Sequence, residues 1–121
     1  MSKYALYIKL QARPDKSHEL EKFLKQTLPT VKDEDETKTW YAFKQAENAY
    51  VIFDTFGSES GRDAHLQGKA VAALLQVADD LLVRDPEFVP VDLLAQKVGL
   101  ESEVVADSNV KKYDLRFIDG L

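Results

Sequence analysis

The stretch Ala49–Val83, AYVIFDTFGSESGRDAHLQGKAVAALLQVADDLLV, decides the fold. Ala49–Phe56 is apolar and β-branched or aromatic except for Asp54 and Thr55, the composition of a strand with little access to water. Gly57-Ser58 stops it, and Ser58 is the natural N-cap of a short helix holding Arg62 and His65. From Gly68 the apolar positions Val71, Leu74, Leu75, Ala78, Leu81 and Leu82 recur at helical spacing, which predicts a longer helix over Lys69–Val83. Asp85-Pro86 closes that helix. Two residues here bear chemistry: an acid inside an apolar strand, Asp54, and an imidazole in the next helix, His65.

Upstream, Tyr4, Leu6, Ile8 and Leu10 alternate with Ala5, Tyr7, Lys9 and Gln11, a period of two that predicts a strand. Arg13-Pro14-Asp15 breaks it, and Asp15 or Ser17 is placed to cap a helix. That helix carries Leu20, Phe23, Leu24, Leu28 and Val31 on one stripe, and Pro29 should bend or end it. His18, among charged neighbours at its start, is expected in solvent. The acidic run Asp33-Glu34-Asp35-Glu36 lacks the alternating ligands and central glycine of a calcium loop, so it reads as a solvated connector.

Thr37–Gln45 is a second strand, with Trp40 and Tyr41 on opposite sides, so at most one of them lines a given cavity. Ala46-Glu47-Asn48 forms a short hairpin connection, with Asn48 suited to a left-handed turn. Phe88–Lys97 reads as the last strand, and Pro90 inside it marks an edge or a bulge. The order βαββααβ is an α+β, ferredoxin-like pattern: a four-stranded antiparallel sheet with helices on one face. The domain is expected over 1–98, followed by a C-terminal extension at 99–121 in which Tyr113, Leu115 and Phe117 alternate, as a further strand or a tail.

Helices on one face leave the other carrying large side chains from four strands. An isologous dimer, sheet against sheet, would bury them as a dimeric α/β barrel, so the first expected partner is a second copy of the chain. The net charge of −5 and the lack of a basic cluster argue against nucleic acid. There is no cysteine for disulfide or thiolate chemistry, and no multi-histidine metal site is legible. No apolar run approaches the ~18 residues of a membrane span, and no signal-peptide pattern opens the chain; a cytoplasmic location is the expectation.

Three segments carry a family resemblance: Arg13-Pro14-Asp15-Lys16 leaving the first strand, Phe53-Asp54-Thr55-Phe56 ending the third, and Asp63-Ala64-His65-Leu66-Gln67 in the helix after it. Over residues 3–97 the chain resembles the antibiotic biosynthesis monooxygenase domains, dimeric α/β-barrel proteins. Some members of that family oxidise quinols or anthrone-like polyketides with O2 and neither metal nor flavin, and others degrade haem. The resemblance therefore implies a cofactor-free monooxygenase of a small phenolic, quinol or polyketide-like aromatic compound. His65 and Asp54 would be its catalytic pair, with Trp40, Tyr50, Phe56, Arg62 and Ile8 around the apolar ligand. Haem degraders of this fold use an axial histidine, an asparagine and a tryptophan where this chain has Leu75, Ile8 and His65, which disfavours haem.

Each of these residues also has a plainer reading. His65 would be a helix residue satisfied by a carbonyl or carboxylate, and Asp54 a cap or bridge at a strand end. Trp40 would be core or dimer packing, and Arg62 an exposed ion-pairing residue rather than an oxyanion holder. Tyr7 is a weaker pocket candidate. A non-catalytic dimer that binds an apolar metabolite or a protein partner is the alternative function.

Overall fold

A computed structural model describes residues 3–99. The elements are β1 (Tyr4–Gln11), α1 (Ser17–Lys32), β2 (Thr37–Ala46), β3 (Ala49–Phe56), α2 (Glu59–Leu66), α3 (Lys69–Leu81) and β4 (Glu87–Asp92). The strands form one sheet in the order β2-β3-β1-β4, antiparallel throughout. This is the ferredoxin-like α+β architecture that the pattern predicts. Residues 100–121, with the expected feature at 111–118, lie outside the described part.

Strand alternation assigns the two faces. Leu6, Ile8 and Leu10 of β1 join Tyr50, Ile52 and Phe56 of β3 in a core with Leu20 and Leu24 of α1 and Leu74, Ala78 and Leu81 of α3. Full burial of a side chain of this size contributes about 1.5–3 kcal/mol each, so this layer supplies most of the driving force. On the opposite face the register lines up Tyr41, Phe53, Tyr7 and Val89 in one row across all four strands. Phe43 and Val51 begin the next row, which Lys9 and Glu87 complete. No helix covers that face among the described residues, and Tyr41 and Phe43 remain 56% and 45% exposed.

Several local expectations are corrected. Lys16, not Asp15 or Ser17, occupies the N-cap of α1 and makes no side-chain cap; Ser17 Oγ instead donates to Asn48 Oδ1, tying the helix start to the hairpin turn. Asn48 itself adopts φ 62°, the left-handed turn its side chain tolerates. Pro29 does not end α1, which continues to Lys32. Both Pro29 and Lys25, whose carbonyl cannot receive an N–H from Pro29, are on the exposed side, where solvent can satisfy that carbonyl. α3 stops at Leu81 because Leu82 turns extended and bridges Ala12. Leu75 is exposed rather than part of the buried stripe.

The last strand is shorter than expected. Among the described residues β4 pairs only with β1, whose partners run out at Tyr4 opposite Asp92, so residues 93–97 have no described strand beside them. A final backbone bond from Leu93 to Lys3 closes the ladder, and Leu94 is exposed.

Gly61 is where α2 meets the connector between α1 and β2. A Cβ added there would stand 2.7 Å from Glu36 Cβ, an atom fixed to the backbone and unable to swing aside. Gly61→Ala should therefore destabilise the protein by about 1–3 kcal/mol in urea denaturation, the usual size of an overpacking strain. Gly99→Ala, with open space around it, should change nothing measurable.

Candidate active site

Asp54 lies on the helix-facing side of β3, between Trp40 of β2 and Leu6 of β1 in the register, and is 0% exposed. The strand period puts it there: Tyr50, Ile52, Asp54 and Phe56 share one face, so an acid in that series must enter the core. Burying a carboxylate without partners is costly, and the structure answers with His65. Ser58 caps α2 by accepting the Gly61 N–H, and the helix then carries His65 back over the end of β3. His65 is 4% exposed and packs against Phe56 with ring centroids 5.2 Å apart.

His65 Nε2 stands 2.9 Å from Asp54 Oδ2. The contact has ion-pair distance without the alignment of a hydrogen bond, and Asp54 Oδ1 has no hydrogen-bond partner among the described residues. The other ring nitrogen, Nδ1, lies 2.5 Å from Glu34 Oε1. Glu34 also accepts a hydrogen bond from Thr37 Oγ1, and its side chain is 21% exposed. The ring is thus bracketed by two carboxylates, one sealed and one reaching water.

Asp33, Asp35 and Glu36 are exposed, as expected of a solvated connector, and Glu34 is the exception. Glu34 closes the site, and Glu36 accepts from Ser58 Oγ and pairs with Lys38. Composition could not separate Glu34 from its exposed neighbours. The usable signal was topological: the connector enters β2 at the end where β3 leaves for α2, so its last residues must land on that helix.

Burial pushes the Asp54 carboxyl above the ordinary carboxylate range, and the His65 ring only partly offsets it. For His65, burial alone would lower the pKa, but Asp54 and then Glu34 outweigh it, and the net direction is upward.

A narrow hollow touches His65, lined also by Ile8, Ile52, Trp40, Phe23 and Leu74 among others. Its free volume, about 10 Å³, is room for one water at most. A ring-sized ligand enters only if side chains such as Phe23, Trp40 or Leu74 move. Of the residues singled out from the sequence, His65, Trp40 and Ile8 meet at this hollow, while Asp54 and Phe56 stand directly behind His65.

Tyr50 and Arg62 do not join them. Tyr50 is four residues along β3 from Asp54, roughly 13 Å at the rise of a strand. Its hydroxyl donates to Glu21, and burial together with that carboxylate pushes its pKa up to about 12. Arg62 is neither a free ion-pairing residue nor an oxyanion holder at the hollow. It donates to the Ala5 and Val91 carbonyls and lies over the Tyr4 ring, fastening α2 to β1 and β4.

The side chains here do not suit haem. α3 offers Ala70, Val71 and Leu74 to the hollow, Leu75 is exposed, and the one imidazole present has a carboxylate at each nitrogen. Nor do three metal-ligating side chains converge among the described residues, since Asp54 and Glu34 stand at opposite nitrogens of the ring. No described helix is long and apolar enough to cross a membrane.

The four-stranded α+β fold is shared with solved structures named as antibiotic biosynthesis monooxygenases. A solved structure named as an antibiotic biosynthesis monooxygenase superposes with a TM-score of 0.66 over 76% of this chain and 99% of the other, at 12% identity. Rv0793 from Mycobacterium tuberculosis matches with a TM-score of 0.71, at 19% identity, over 80% of this chain and 100% of the other. The NE2512 protein of Nitrosomonas europaea, of unknown function, is 39% identical, with a TM-score of 0.80 over 84% of this chain and 98% of its own. The chain belongs to the same family as NE2512. No family model and no curated protein matches the sequence.

The raised values of both groups make stability depend on pH with one sign. His65 holds its proton more tightly folded than unfolded, so its contribution is full below about pH 6.5 and is lost as pH rises through the folded value. Asp54 is also harder to ionise when folded, so its ionisation costs native stability over the range between its unfolded and raised folded values. The melting temperature should fall as pH rises through and above neutrality, and Asp54→Asn should flatten that fall. Calorimetry at several pH values reads both.

Proposed function

We propose that this chain is a cofactor-independent monooxygenase of a small phenolic or quinol compound, with the Asp54–His65 pair as its proton acceptor. One observation carries the reading: a buried carboxylate is held against an imidazole that lines the apolar hollow. The fold shared with proteins named as antibiotic biosynthesis monooxygenases supports the same class.

In the reaction, a hydroxyl or activated C–H proton of the substrate passes to His65, whose imidazolium Asp54 stabilises. The resulting anion gives one electron to O2, leaving a substrate radical and superoxide. These combine to form a C–O bond and a peroxide anion. The proton returns from His65 to give a hydroperoxide. The carbon bearing it then loses its remaining hydrogen as a proton while the O–O bond breaks. One oxygen stays as a carbonyl, and the other leaves as hydroxide, which takes up that proton to become water. Trp40, Ile8 and Ile52 would supply the flat, water-free wall that orients an aromatic ring.

Oxygen uptake with a panel of quinols and anthrones tests this. The wild-type protein should consume O2, and His65→Ala should lower the rate about 10²–10⁴-fold, the range for losing a general base. Equal rates would remove His65 from the chemistry.

The closed hollow and the double engagement of His65 favour a second reading, a non-catalytic module that binds an apolar ligand. On that reading aromatic ligands raise the melting temperature with no O2 uptake by any variant.

The working unit in either case is a homodimer through the uncovered sheet face. Tyr41, Phe53, Tyr7 and Val89 form an apolar row there, and a second copy covers it with the same row. Sedimentation should give a dimer for the wild type and a monomer for the double variant Tyr41→Glu, Phe43→Lys. A wild-type monomer at micromolar concentration would end this proposal.

A further inference from the structure

Among the described residues, Glu34 is the one charged contact of His65 that also reaches solvent. Asp54 is sealed behind the ring, and the remaining neighbours of the ring at the hollow are uncharged: Ile8 from β1, Trp40 from β2, Ile52 from β3, Phe23 and Thr27 from α1, and Ala70, Val71 and Leu74 from α3. Glu36, two residues on, is held by Ser58 and Lys38 and does not meet the ring. Among the described residues, the charged side chains therefore offer one route for a proton from water to Asp54: Glu34, then Nδ1, then Nε2.

With a carboxylate at each nitrogen, the ring has a place for a proton in both gaps. Thr37 Oγ1 donates to the same Oε1 of Glu34 that faces the ring, so this carboxylate oxygen is held in place rather than merely nearby. We propose that Glu34 is a positioning residue which holds the imidazole bridged between two carboxylates and connects the sealed Asp54 to solvent for proton exchange. The inference deepens the oxygenase reading by giving its proton acceptor a means of resetting, yet its geometry is independent of any substrate.

The experiment follows the His65 ring nitrogens and their protons by ¹⁵N NMR from pH 5 to 9, without substrate. In the wild type the Nδ1 proton should exchange with water faster than the Nε2 proton, because it faces the half-open side. Glu34→Gln should move the His65 titration to lower pH by about tenfold in proton affinity, the scale for losing one contacting opposite charge. Glu34→Asp should recover part of it, and Glu36→Gln, which removes a charge from the same run, should leave it in place. Equal or reversed exchange of the two ring protons, or a titration unmoved by Glu34→Gln, overturns the proposal. Oxygen uptake is measured separately: a protein that shows these NMR effects and consumes no O2 loses the oxygenase reading and keeps this one.

Discussion

A carboxylate at the centre of an apolar layer is the constraint that the rest of this structure answers. Asp54 is wholly buried, and the cost of placing its charge there exceeds what a single side chain contributes to most folds. The imidazole of His65 offsets part of that cost, and Glu34, facing its other nitrogen, strengthens the ring's hold on a proton. Three segments distant in sequence are thereby bound to one point: the entrance to β2, the exit of β3 and the last turn of α2. Replacing the pair with hydrocarbon would pack this layer at lower cost, which is why the pair points to a function rather than to stability alone.

The supporting features have the same aim. Ser58 fixes the start of α2, Gly61 lets the connector touch the helix backbone, and Arg62 fastens the helix to carbonyls of two strands. Each limits how far His65 can drift from Asp54. An ion pair in low dielectric loses its value steeply with separation, so the rigid placement of a short helix is part of the electrostatics.

Much of the fold was legible because its signals are local. Alternation in β1, the Asn48 turn, the Ser58 cap and the helical stripe of α3 each need only a few neighbouring residues. Asp54 and His65 stood out for a similar reason, as polar groups inside apolar patterns. Glu34 did not, because an acid among four acids carries no local mark, and only the sheet topology sets it against α2. Tyr50 and Arg62 misled in the opposite way. Their chemistry suits a binding pocket, but Tyr50 falls beyond the reach of the hollow along β3, and backbone carbonyls occupy the guanidinium. Leu75 shows that a helical stripe one residue too wide is invisible until the packing partner is known.

The edges of the sheet carry a last consequence. β2 runs out of step with β3 at both of its ends, between Thr37 and Thr39 and between Lys44 and Ala46. β4 is six residues long and loses an amide donor at Pro90. Neither border offers the long, even row of donors and acceptors on which foreign strands template themselves. Copies of this protein are thus steered away from fibril-like stacking border to border, and the greasy plane of the sheet is left as the surface on which they can meet.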